Sequence, residues 1–207
     1  MKSLKKYLLD FIYPPQIKCI NCGEELFFPE VEGFCYDCLH KLNYSSQICS
    51  KCGREVKLDN EEKNKVKNNN KLSLSCKFCS ELKNDYDFEM ARSVFVYEDL
   101  GRELIFQFKY FNKKELALPL AELLYIYFKE HYSMINFDFI IPIPLYKKRK
   151  KQRGYNQAAL LAENLSKKTN IKMSEDLLIR FIKTPPLYDL NREKRMSLIN
   201  GVFSVNN

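Results

Sequence analysis

Hydrophobic positions at Leu4, Leu8 and Phe11/Ile12 recur at helical spacing and predict a short amphipathic helix at the start of the chain. From there to about residue 85 large apolar clusters are scarce. The texture changes near Met90. Arg92-Ser93-Val94-Phe95-Val96-Tyr97 is β-branched and aromatic and reads as a strand. Leu100, Leu104, Phe108 and Phe111 fall at helical spacing and predict a helix over 100–111. A second helix is predicted over 118–132, with Pro119 tolerated in its first turn. Residues 137–142 form a nearly continuous apolar run, the pattern of a buried parallel strand. A helix follows over 155–168, with Ala158, Leu161/Ala162 and Leu165 on one face, and a further strand is read over 176–183. Strands alternating with helices predict an α/β fold for residues 90–207.

Composition refines this picture. The chain has 207 residues, 45% hydrophobic and 29% charged, which accommodates a packed core and excludes collagen-like, mucin-like and coiled-coil classes. Lys and Arg number 34 against 26 Asp and Glu, a net charge of +8. That balance points to anionic partners, with a lysine-rich surface as the plainer alternative. No apolar run approaches the length needed to span a bilayer, and Lys5, Lys6 and Asp10 interrupt the N-terminal stretch, so neither a membrane span nor a signal peptide is expected. The expectation is a cytoplasmic protein with reduced cysteines. Its six glycines are scattered, which excludes the glycine-rich phosphate loops, and two histidines without a GxSxG sequence argue against a serine hydrolase.

The eight cysteines carry the clearest chemistry. All fall into CxxC pairs: Cys19/Cys22, Cys35/Cys38, Cys49/Cys52 and Cys76/Cys79. A CxxC turn points two thiolates at one ion, and two such turns complete a tetrahedral zinc site. The first and third pairs are followed by glycine and the second and fourth are not, an internal repeat of order A-B-A-B. Sequential pairing puts Cys19, Cys22, Cys35 and Cys38 around one Zn2+ and Cys49, Cys52, Cys76 and Cys79 around another; a cross-braced pairing is the alternative. Residues 59–71, rich in Asn, Lys and Glu, read as an insert in the second ribbon. His40 is expected at the surface. A double zinc-ribbon module is thus predicted over 1–85, with zinc supplying the folding energy that so small an apolar core cannot.

In the C-terminal part the apolar run ends in Pro142-Ile143-Pro144. A basic loop follows, with Lys147, Lys148, Arg149, Lys150, Lys151 and Arg153 giving six cations in seven positions. Gly154 is read as opening the next helix. Ligands of α/β sheets sit beyond the carboxyl ends of strands, and helix N-termini favour anions. The loop is a candidate phosphate or pyrophosphate site; the alternatives are a solvated basic loop or a nucleic-acid patch.

Several motifs stand out along the chain: the paired CxxC ribbons, Phe106-Gln107-Phe108-Lys109-Tyr110, Pro142-Ile143-Pro144-Leu145 followed by Arg153-Gly154-Tyr155-Asn156-Gln157, Arg180 with Lys183-Thr184, and Arg195 with Asn200-Gly201-Val202-Phe203. Together they resemble the ComF family of competence-associated, phosphoribosyltransferase-like proteins, and the likeness runs along nearly the whole chain. The resemblance implies a type I phosphoribosyltransferase-like domain over 90–207. In it Arg149, Arg153 and the Gly154 N–H would face the pyrophosphate of phosphoribosyl pyrophosphate (PRPP), Mg2+ would bridge its oxygens, and Lys109 would add an anion contact. It also implies a role in DNA uptake. The alternative to an enzyme homologue is a non-catalytic zinc-ribbon adaptor that binds single-stranded DNA or a competence helicase, with Lys147, Lys148, Lys150 and Lys151 as nucleic-acid candidates.

Two departures from the family pattern bear on activity. Leu187 stands where the family has Gln, and residues 1–207 contain no Asp-Asp, no Thr-Thr and no Gly beside Thr, the elements of the family's ribose-phosphate loop. The expectation is an incomplete, C-terminally truncated domain, catalytically inactive, that leaves an apolar sheet edge exposed.

Overall fold

The computed structural model describes residues 18–27, 29–44, 47–56, 58, 74–81, 87–187 and 190–206. The helix predicted over 1–13 and the insert 59–71 lie outside the described residues. The chain forms two compact units. One comprises Met1–Leu39 with Arg102–Asn207, the other His40–Gly101.

The A-B-A-B repeat of the sequence is a repeat of backbone geometry. In each A half, the strand entering the knuckle pairs with the strand leaving it: Lys18 with Glu25, and Ile48 with Glu55. The Cys19 N–H donates to Glu24 O and the Cys49 N–H to Arg54 O, at 2.6 and 2.7 Å. The Gly23 and Gly53 N–H groups return to Cys19 O and Cys49 O, both at 2.9 Å. Each B half is a short helix, α1 (Tyr36–His40) or α2 (Lys77–Glu81), with a ligand cysteine inside it. His40 is exposed on α1.

In the second ribbon the buried core is Cys49, Cys76 and Cys79, with Cys52, Val56 and Phe78 packed against it. Residues 92–97 form no strand, which corrects the sequence expectation. Their apolar side chains suit a strand, but the backbone bonds outside any ladder. The Val96 N–H donates to Asn43 O, and the preceding Ala91 N–H to Lys51 O, both at 2.8 Å. The Arg92 guanidinium donates to Ser50 O and Ala91 O, at 2.8 and 2.9 Å. The segment straps the second knuckle from outside.

Helical periodicity is realised closely. Helix α3 (Asp99–Tyr110) buries Leu104 and Phe108, four residues apart. A 3-10 turn at Lys114–Leu116 leads into α4 (Ala117–Tyr132), where Pro119 sits in the first turn and Leu120, Ala121 and Leu123 are buried. Helix α4 packs on α6 (Gln157–Thr169), whose buried Ala159 and Ala162 allow close approach. Across this pair Lys168 forms an ion pair with Glu122, both half-buried.

The sheet is small. β1 (Leu178–Arg180) pairs antiparallel with β2 (Phe203–Val205), Ile179 opposite Ser204. The apolar run 137–142 makes a single parallel bridge, Ile140 to Met173, closed by bonds from the Ile140 N–H to Lys172 O and the Ser174 N–H to Ile140 O. It is not buried on both faces as its sequence predicts. Pro142 is buried, while Phe139, Ile141 and Ile143 on the opposite side are 40%, 42% and 59% exposed. No other described segment covers that side, and Ile179, Phe181 and Ile182 are exposed as well. The whole is a double zinc ribbon joined to a mixed helical and small-sheet module of α/β character.

The basic stretch is not a loop. Residues Lys147–Arg153 form a helix, α5, that Gly154 terminates with a left-handed φ of 77°, its N–H donating to Lys150 O at 2.9 Å. Gly154 therefore closes a helix rather than opening one, and its N–H is already engaged. Asn156 is the true start of α6; its side chain accepts from the Ala158 N–H at 3.2 Å.

Candidate zinc centres and anion site

The cysteines gather as two sets of four, Cys19, Cys22, Cys35, Cys38 and Cys49, Cys52, Cys76, Cys79. Within each set all sulfurs lie within 4.8 Å of one another. This is the sequential pairing. In each set one sulfur pair, Cys22 to Cys35 or Cys52 to Cys76, is 3.6 Å apart. Four thiolates around Zn2+ with Zn–S of about 2.3 Å stand about 3.8 Å apart, a spacing compatible with both sets. Four sulfurs also leave no open coordination position, the mark of a structural centre. Around the first set, Asn21 Nδ2 donates to Cys38 Sγ at 3.2 Å, an outer contact that lowers charge on the ligand.

The thiols within a set are unequal. Burial raises Cys49, but the backbone N–H groups of Cys52, Cys76 and Lys51 outweigh it and bring the thiol to about 6. Cys19 falls to about 7 for the same balance of causes, with Cys22, Cys35 and Asn21 as donors. Burial instead pushes Cys79 up to about 12 and raises Cys35, Cys38 and Cys52. Cys19 and Cys49 thus ionise most readily among the shifted thiols, and Zn2+ must displace protons from the raised ones.

The second candidate site is a cavity of about 770 Å3 formed by the end of α3, by α5, and by residues 183–186. Lys109, Lys148, Arg149, Lys151, Arg153 and Lys183 line it, with no carboxylate among the lining residues. Desolvation pushes the Lys109 ammonium below the ordinary lysine range; Tyr110 opposes the shift and the charges of Arg153 and Arg149 add to it. Arg153 is lowered by desolvation and then by Arg149, although a guanidinium stays charged at any working pH. Cations crowded in this way are stabilised by an anion between them.

The sequence-predicted residues divide. Lys109, Arg149, Arg153, Gly154, Lys148 and Lys151 come together at the cavity. Lys147 is exposed, and Lys150 pairs with Glu175 at 3.4 Å. Sequence reasoning did not anticipate a structural role for the polar residues after Gly154. The Tyr155 hydroxyl donates to Phe108 O at 2.5 Å, and Gln157 Nε2 donates to the same carbonyl at 3.3 Å. Gln157 Oε1 accepts from Arg153 Nη1 at 3.1 Å, and Asn156 Nδ2 donates to Ile143 O at 3.1 Å. These three buried side chains tie the end of α3, the Pro-Ile-Pro segment and α6 into one frame around the cavity. Tyr110 was also unforeseen. It lines the cavity beneath the Arg153 guanidinium, 5.0 Å from its ring centre. The Arg153-Gly154-Tyr155-Asn156-Gln157 run was the only sequence signal for this frame.

Fold and cysteine geometry define the class: a double-zinc-ribbon protein with an appended α/β module. The double zinc ribbon domain family matches residues 8–80. The chain is homologous over most of its length to bacterial competence proteins of the ComF type. It is 28% identical over 169 residues to Competence protein ComFC of Bacillus subtilis, covering 79% of this chain and 58% of that protein. It is 27% identical over 191 residues to Competence protein F of Haemophilus influenzae, covering 91% of this chain and 76% of that protein. The chain thus spans less than two thirds of the length of the Bacillus relative. No solved structure matches it. Among the described residues no helix is long and apolar enough to cross a membrane.

Proposed function

We propose that this chain acts in natural competence as a zinc-ribbon protein whose cationic cavity binds a pyrophosphate group, PRPP being the ligand class that its motifs imply. The observation that carries this reading is the convergence of six cations on one cavity lined by no carboxylate. Arg149 and Arg153 would hold the pyrophosphate bidentately, Lys109 and Lys183 would neutralise its outer oxygens, and Mg2+ would shield the remaining charge. Residues 1–207 hold no acidic pair followed by a Thr-Thr-Gly loop. The reading for residues 1–207 is thus pyrophosphate binding, with no ribose-phosphate transfer expected of these residues by themselves.

Calorimetric titration with inorganic pyrophosphate tests the binding. Arg149→Ala and Arg153→Ala should each weaken it about tenfold or more, the loss of a charge-assisted contact. Unchanged affinity in both variants refutes the reading. Exchange of labelled pyrophosphate into PRPP should stay at background, and exchange above it refutes the inactivity.

A second reading is favoured by the exposure of Lys147, Lys148 and Lys151 on α5. There the chain is a non-catalytic adaptor, and this helix follows the backbone of single-stranded DNA alongside a helicase partner. Binding that weakens steeply with salt and falls when these lysines are neutralised supports it; no binding at low salt excludes it.

A further inference from the structure

The cationic cavity has an aromatic rim with no role in the core. Phe106, Tyr110 and Phe111 are 49%, 55% and 63% exposed, although each buries readily in most proteins. They form a cluster at the end of α3, with Phe106 4.9 Å from Tyr110 and 5.7 Å from Phe111 between ring centres. Tyr110 belongs both to this cluster and to the cavity wall, where the Arg153 guanidinium lies over its ring. A face of tilted, mutually contacting rings therefore runs into a wall of positive charge. Asn112, Gln152 and Thr184 line the same cavity and supply neutral donors and acceptors.

Pyrophosphate or PRPP engages the cations and leaves this rim uncontacted, so the rim points to a further ligand class at the same site. An apolar peptide would leave the cations without partners. A flat heterocycle joined to phosphates satisfies both, because every nucleobase has a face that stacks on aromatic side chains and on guanidinium planes. The cavity volume of about 770 Å3 lies within the range of small-ligand sites. We propose that the site takes a nucleoside di- or triphosphate, with its base on the Phe106–Tyr110–Phe111 rim and its phosphates among Arg149, Arg153 and Lys183. This rests on the anion reading above and adds a base to it.

The test titrates the full chain with three probes: inorganic pyrophosphate, ADP and a twelve-residue oligothymidylate. The variants are Phe106→Leu and Phe111→Leu, which keep apolar bulk and remove the ring from exposed positions. The expected result is that both variants weaken ADP on the order of 5- to 100-fold, the usual range for losing one base stack. Pyrophosphate affinity should stay unchanged, which also reports that the variants are folded. ADP affinity that the variants leave untouched overturns the proposal, and so does an equal loss of ADP and pyrophosphate, because neither shows a contribution from the base. Ring-dependent binding of the oligothymidylate without binding of ADP overturns the choice of a free nucleotide. If pyrophosphate itself fails to bind, the anion reading falls and this proposal with it; if pyrophosphate binds and only ADP shows no ring dependence, this proposal falls alone.

Discussion

Gly23 and Gly53 close the same turn in the two halves of the repeat, with φ of 78° and 69°, yet they should not tolerate alanine equally. A Cβ at Gly23 meets open space, while one at Gly53 lies 2.5 Å from Ala91 O. Gly23→Ala carries only the left-handed strain, about 1–2 kcal/mol. Gly53→Ala adds a backbone clash and should approach 3 kcal/mol or more, to order of magnitude. Competition with a chromogenic chelator reads the difference, with the second zinc ion lost first in Gly53→Ala. Lys109 supports a residue-scale prediction in pH. Its folded pKa lies below the unfolded value, so its charged form is penalised at low pH and the penalty is relieved as pH rises toward the unfolded lysine pKa. Bound pyrophosphate favours the charged form. Pyrophosphate affinity should therefore begin to fall at a pH lower than an ordinary lysine would set, and Lys109→Arg should remove that early fall. The cysteine ligands were all legible in the sequence because a CxxC turn is local. Tyr155 and Gln157 were legible as a motif but not as a frame, since their acceptors at Phe108 and Lys109 lie nearly fifty residues away.

Among the elements, the helices were the most readable. Leu104 with Phe108, and the apolar positions of α4 and α6, obey a period set by the backbone alone. Strands were less so. Residues 92–97 and 137–142 have strand-like side chains, but a strand exists only with a neighbour at ladder distance, and that neighbour is not written in the segment itself. The basic stretch reads as a loop by its charge, yet its residues favour a helix. Lys, Arg and Gln are good helix formers, and Gly154 supplies the left-handed stop. At this scale the α4–α6 pair predicts a measurable defect. Glu122→Ala would leave Lys168 half-buried without its carboxylate, over the Tyr125 ring. The loss should be about 1–2 kcal/mol, between surface and fully buried ion pairs, and appear as a lower urea midpoint with an unchanged slope.

For the molecule as a whole, the two cysteine sets fall in different compact units. Two Zn2+ per chain are expected by elemental analysis, and their removal by a chelator should proceed in two resolvable steps. Circular dichroism should retain the helical signal of α4 and α6, whose packing involves no cysteine. A single release step that abolishes all helicity would contradict that division. Zinc affinity should rise with pH as the high thiols, Cys79 at about 12 among them, become easier to deprotonate. The fold class was readable at this scale because eight cysteines and a change of texture at residue 90 are global features of the sequence. The exposure of the apolar side chains at Ile141, Ile143 and Phe181 was not legible in the local run at 137–142, which reads as fully buried.

The second ribbon also has a practical use. Its halves are joined by local contacts, Cys52 to Cys76 at the sulfurs and the Ser50 N–H to Leu74 O at 2.7 Å. The first ribbon makes the equivalent bond, Ile20 N–H to Gly33 O, across a much shorter connection. Two connections of such different length closing onto one geometry mean that zinc binding sets few demands on the chain between. Doubling that length costs only about 0.6 kcal/mol of closure entropy. The stretch between Val56 and Leu74 is accordingly the place to splice a fluorescent reporter or affinity tag, following the protein in cells with both metal centres and the cationic cavity intact.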